Sequence, residues 1–123
     1  MLYYIAKEKV SLTEELKRIL QVLNIGNSEF FEYITKRVKY FPLKWNEFPW
    51  GCFPITDENN LLTDIKVLVP NVSDERTLLV NIHEYTHAFE LFSLLGKYYH
   101  ENVEASEDLA RSKEHEYLVS KIK

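Results

Sequence analysis

Two histidines four residues apart, His83 and His87, with Glu84 beside the first, are the side chains of this sequence best placed by type and spacing to do chemistry. On an α-helix, residues four apart lie one turn above each other on the same face, so the two imidazoles can converge on one tetrahedral ion. Glu84 lies about 100° round such a helix. That puts its carboxylate beside the ion, where it can take a proton from a coordinated water without being a ligand. A shuffled chain of the same composition would contain His-Glu-any-any-His about once in sixty trials, so context has to decide. The flanking residues Leu78, Leu79, Val80, Ile82, Ala88, Phe89, Leu91 and Phe92 are apolar, so the helix should be largely buried. Burying two imidazoles and a carboxylate there costs several kcal/mol unless they are paired or coordinated. A metal ion is the simplest compensation; the competing reading is a pair of core histidines bonded to the backbone.

A catalytic zinc site needs a third protein ligand and an open fourth position. Glu104 and Asp108 follow on the next helix, one turn apart, so Glu104 can ligate while Asp108 accepts a hydrogen bond from the back nitrogen of His83 or His87. Two alternative ligands stand nearby. Glu107 shares nearly the same face as Glu104, and His100 comes thirteen residues after His87.

The elements that must position these groups read as follows. Ser11-Leu12-Thr13-Glu14 has the capping-box pattern and should open a helix with Leu12, Leu16, Ile19, Leu20 and Leu23 as its apolar stripe. Asn24-Ile25-Gly26-Asn27 should end it with glycine in the left-handed position, and Ser28 should cap a second helix running to about Tyr40. Prolines 42, 49 and 54 argue for loop and short extended pieces over residues 41–56. Trp45, Trp50 and Phe53 in that stretch are candidates for a substrate groove, although aromatics near a small core more often pack. Residues 61–69 alternate as a half-exposed strand, expected to offer a free edge beside the ion to which an extended peptide can add. Ser73-Asp74-Glu75 should cap the metal helix, 74–95, closed by Gly96; a last helix is expected over about 103–119.

The expected fold is therefore α+β in one domain: a helical pair over 1–40, loop and small sheet over 41–72, and metal-site helices over 73–123. With 46% hydrophobic residues, 3 Gly and 4 Pro, the composition is that of a folded chain and not of a disordered one. Cys52 is the only cysteine, which excludes an internal disulfide and an all-cysteine metal site. The formal charge of -4, with bases scattered among acids, offers no stripe for nucleic acid. Neither a secretion signal nor a membrane span is read, so the cytoplasm is the expected location.

His83-Glu84-Tyr85-Thr86-His87 followed on a separate helix by Glu104-Ala105-Ser106-Glu107-Asp108 resembles the gluzincin arrangement of zinc metallopeptidases, and at this length is most similar to the single-domain minigluzincins. The resemblance spans about residues 61–119 and rests on five residues. It implies a zincin-like fold, Zn2+ held by His83, His87 and Glu104, Glu84 as general base, Asp108 behind a histidine, and an edge strand receiving a peptide or protein substrate. An ExxxD pattern read from Glu107 ends on Arg111 instead of an aspartate. Glu90 and Ser93 exclude the extended metzincin motif, while His100 resembles the third histidine of SprT-like zincins. Two other readings remain: a catalytically silent zinc module that binds a partner or senses metal, and a metal-free α+β protein.

Overall fold

The computed structural model describes residues 12–40 and 50–122 of the 123-residue chain. Among them are four helices and a three-stranded mixed sheet, an α+β arrangement. Helix α1 runs over Glu14–Val22 and α2 over Ser28–Thr35. The N-cap of α1 is Thr13, whose hydroxyl accepts from the Leu16 amide at 3.1 Å; Ser11 lies outside the described residues. Asn27, and not Ser28, caps α2, its Oδ1 accepting from the Phe30 amide at 2.9 Å. Between the helices the left-handed residue is Asn24, at φ 62°. Gly26 takes φ 120°, and a Cβ there would come within 2.7 Å of the Phe31 ring, so both backbone and space demand glycine.

Helix α2 does not continue to Tyr40. It stops at Thr35, and Val38–Lys39 forms strand β1, parallel to the end of β3, Leu62–Leu68. Arg37 explains the turn: its guanidinium reaches Asp64 Oδ1 at 2.6 Å and the Tyr33 carbonyl at 3.1 Å. The Tyr33 hydroxyl donates to the same carboxylate oxygen at 2.6 Å, so β3 is bolted to the end of α2. Burial and that hydrogen bond to a carboxylate push the Tyr33 hydroxyl up to about 12.

Residues 51–56 are one of the short extended pieces expected over 41–56. Gly51–Thr56 is strand β2, antiparallel to β3, with Pro54 opposite Ile65 and a register shift at Ile55/Thr56. Among the described residues the sheet order β1-β3-β2 makes β3 the central strand and β2 an edge, which corrects the expectation that 61–69 offers the free edge. Proline is compatible with an edge strand because a missing N–H costs nothing on the unpaired side.

Helix α3, Glu75–Phe92, carries the histidines. Asp74 and Thr77 form a reciprocal capping box at its start. Asn81 Nδ2 donates to the Pro70 and Thr77 carbonyls, both at 2.9 Å, tying the first turns to the chain that leaves β3. At the other end Gly96, at φ 81°, turns the chain back so that its amide reaches the Leu62 carbonyl at 2.8 Å. Both ends of α3 are thus fixed to β3, and Leu78, Ile82 and Tyr85 share one buried core with Ile65 and Val67.

Helix α4 covers Val103–Ile122. Its partners fix its direction: Lys121 Nζ lies 2.5 Å from Glu75, Glu114 meets His83, Glu107 meets His87, and Ser106 meets Glu90. The first number of each pair falls as the second rises, so α4 runs antiparallel along α3. Ala110, fully buried between them, allows close approach.

Candidate metal centre

On α3 the spacing of His83 and His87 does what a helix requires: both imidazoles leave the same face, with their Nε2 atoms 3.2 Å apart. Opposite them on α4 stands Glu107, with Oε2 3.0 Å from His87 Nε2 and Oε1 3.2 Å from His83 Nε2. Ligand atoms of these three residues all lie within 4.8 Å of one another.

The back nitrogens are also engaged. His83 Nδ1 is 2.5 Å from Glu114 Oε2, and His87 Nδ1 is 2.7 Å from Ser106 Oγ, whose hydroxyl donates to Glu90 Oε1 at 2.7 Å. A carboxylate or an already donating hydroxyl can only accept, so each Nδ1 carries the proton and each Nε2 presents a bare lone pair. Two lone pairs and a carboxylate pointing at one another repel, and a cation at their centre relieves this. Two imidazole nitrogens plus one carboxylate is a donor set suited to zinc and to other divalent ions, so the three residues can hold a metal ion.

The spacing on α4 accounts for the arrangement. Glu107 and Glu114 are seven residues apart, two helical turns, and therefore share a face with Ala110 between them. Ser106 flanks Glu107 and reaches the histidine one turn further along α3. Glu104 and Asp108, by contrast, are exposed and stand outside the His83, His87 and Glu107 group. Arg111, where an aspartate would complete ExxxD from Glu107, instead puts its guanidinium 3.7 Å from Glu107 Oε1. Glu114, Ser106 and Glu90 are the functional side chains that the sequence did not single out. Their signal was present as heptad spacing from Glu107 and antiparallel register with His83 and His87.

The electrostatics follow from crowding. Burial raises the Glu84 carboxyl above the usual range; a charge on His83 opposes this, while Glu107 and Glu114 reinforce it. For Glu107 burial also acts upward, but the two imidazoles outweigh it and the net shift is downward. Burial lowers His87, and a charge on His83 adds to that against the pull of Glu107.

Glu84, His87 and Glu107 open onto a groove of about 370 Å³ whose other side is β2, through Trp50, Gly51, Cys52, Phe53 and Pro54. Trp50 and Phe53 therefore line a groove beside the His/Glu group, whereas Trp45 falls outside the described residues. His100 is exposed on the groove's rim and is not one of the converging ligands. Burial raises the Cys52 thiol strongly, with the charges of Glu84 and Glu90 adding to it, so it is an inert thiol at neutral pH.

Compared with protein-family models, with curated proteins and with solved structures, the chain finds no match. Among the described residues no helix is long and apolar enough to cross a membrane.

Proposed function

We propose that this chain is a zincin-like metallopeptidase that binds one divalent ion, zinc by its donor set, through His83, His87 and Glu107, and hydrolyses peptide bonds. The observation that carries the reading is the convergence of both Nε2 atoms on the Glu107 carboxylate, with Glu84 half-buried in the same groove. An ion held there would supply Lewis acidity and lower the pKa of a coordinated water.

The protein's own residues do the rest. Glu84 is not among the three converging groups, so its carboxylate is free to accept a proton from the attacking water and return it to the leaving amine. Its raised proton affinity suits that exchange, because a base that must give its proton back works best near the operating pH. Glu114, and Glu90 through Ser106, hold the imidazole planes and tautomers fixed. Strand β2 replaces 61–69 as the edge that receives an extended peptide, since among the described residues it is the outer strand and it forms a groove wall. Of the side chains able to steady a developing oxyanion, Tyr99 and His100 line the same groove.

The likeness is to zincins in general more than to gluzincins in particular. The ligand glutamate is Glu107, and histidine support comes seven residues later from Glu114, not from an ExxxD aspartate. The deciding experiment is cleavage of an unfolded protein such as casein by zinc-loaded protein. Cleavage should fall at least about a hundredfold in Glu84→Gln while the metal is retained. Equal rates would remove Glu84 as the base, and zinc binding without any cleavage would favour the silent metal module.

A further inference from the structure

The groove continues beyond the metal group in one direction. His83, His87, Glu90, Leu91 and Leu94 recur at helical spacing, so one face of α3 passes from the imidazoles to a carboxylate and then to two leucines. The loop over residues 99–102 adds Glu101 to the lining, and Phe53 of β2, 42% exposed, lines the groove as well. Four carboxylates line the groove, those of Glu84, Glu90, Glu101 and Glu107. Among the described residues no lysine or arginine does.

A divalent ion would offset at most two of those charges. Glu107 is one of the three converging ligands, whereas Glu90 and Glu101 line the groove outside that group. Glu90 and Glu101 therefore leave negative charge on a trough also lined by Leu91, Leu94 and Phe53. A side chain that fits must be apolar along its stem and cationic at its tip. Lysine and arginine are built this way: the methylenes pack on leucine, the cation reaches the carboxylates and can lie over an aromatic face. An acidic side chain would face repulsion in a partly dry site.

Resting on the reading of this site as a peptide hydrolase, we infer that its substrates are peptides with a lysine or arginine side chain beside the scissile bond, selected by Glu90 and Glu101 in the groove.

The test is binding, so that it does not depend on turnover. Short peptide hydroxamates, identical except for one lysine, norleucine or glutamate, are titrated into the zinc-loaded protein by calorimetry. Lysine should bind about tenfold more tightly than its uncharged near-isostere norleucine, and norleucine more tightly than glutamate; the gap should narrow in high salt. The lysine-to-norleucine ratio should approach one in Glu101→Gln and invert in Glu101→Lys, with thermal melts confirming that both fold. Equal affinities, a preference for glutamate, no binding by any of the three, or a ratio untouched by both substitutions would overturn the inference. If the expected order holds but no Glu84-dependent cleavage is seen, the proposed reaction fails and the charge preference stands.

Discussion

Replacing Glu114 tests whether α4 supports the metal group beyond supplying Glu107. Its Oε2 sits 2.5 Å from His83 Nδ1, with the side chain 28% exposed, so the contact is a partly buried, charge-assisted hydrogen bond. Glutamine at this position keeps an acceptor and loses the charge; alanine removes both and leaves an N–H without its partner. Loss of such support behind a metal-ligating histidine costs about 10- to 100-fold in affinity, or about 1.4 to 2.8 kcal/mol at 1.4 kcal/mol per decade. Glu114→Gln should fall near the lower figure and Glu114→Ala near the upper. The arm behind His87 has a further signature, because Glu90 acts on it through the Ser106 hydroxyl. In a double-mutant cycle, Glu90→Gln should weaken metal binding alone but add nothing once Ser106 is alanine. The assay is competition for zinc against a fluorescent chelator, with circular dichroism to confirm the fold, and Asp108→Ala, at an exposed site, as control. Wild-type affinity in Glu114→Ala, or a loss no larger than in Asp108→Ala, would refute the reasoning.

Two further outcomes follow. Glu107→Ala should lose at least as much zinc affinity as Glu114→Ala, while Glu104→Ala, exposed and outside the group, should bind as wild type; the same competition assay reads both. Asp64→Asn should lower stability to denaturant by about 1 to 2 kcal/mol, since it weakens charged hydrogen bonds from Tyr33 and Arg37 at a partly exposed site. Burial raises the Asp64 carboxyl, but those bonds outweigh it and hold the group below its ordinary range. Its contribution is therefore complete above the unfolded aspartate value, about pH 4, and is lost as pH falls through the lower folded value. Acid titrations of the two proteins should converge there, and parallel curves would rule this out.

Helix α3 was legible because its information is local. His83, Glu84 and His87 sit on an apolar run with a cap at Asp74 and a positive-φ glycine at Gly96, and each of these signals points to the same helix. The phase of α4 was not legible for a physical reason. Glu104 and Glu107 are three residues apart and differ by only about 60° around the helix, while Leu109, Leu118 and Val119 are left exposed. No clean apolar stripe therefore announces which glutamate turns inward; the single buried Ala110 and the register against α3 decide it. The sheet was misread for a related reason. Pro54 and the aromatics around it look like loop and short extended pieces, yet Cys52, Pro54 and Thr56 alternate with Phe53 and Ile55 along β2, and proline is tolerated because the strand is an edge. Strand pairing is non-local, so nothing within residues 61–69 could say that they would take neighbours on both sides.

The central claim is that His83, His87 and Glu107 grip one divalent ion. Purified protein stripped of metal, titrated with zinc and then examined at the zinc absorption edge, should take up one equivalent with two imidazole nitrogens and a carboxylate oxygen bound to it. Failure to bind zinc stoichiometrically, or a bound ion whose ligands do not change in Glu107→Ala, would contradict it.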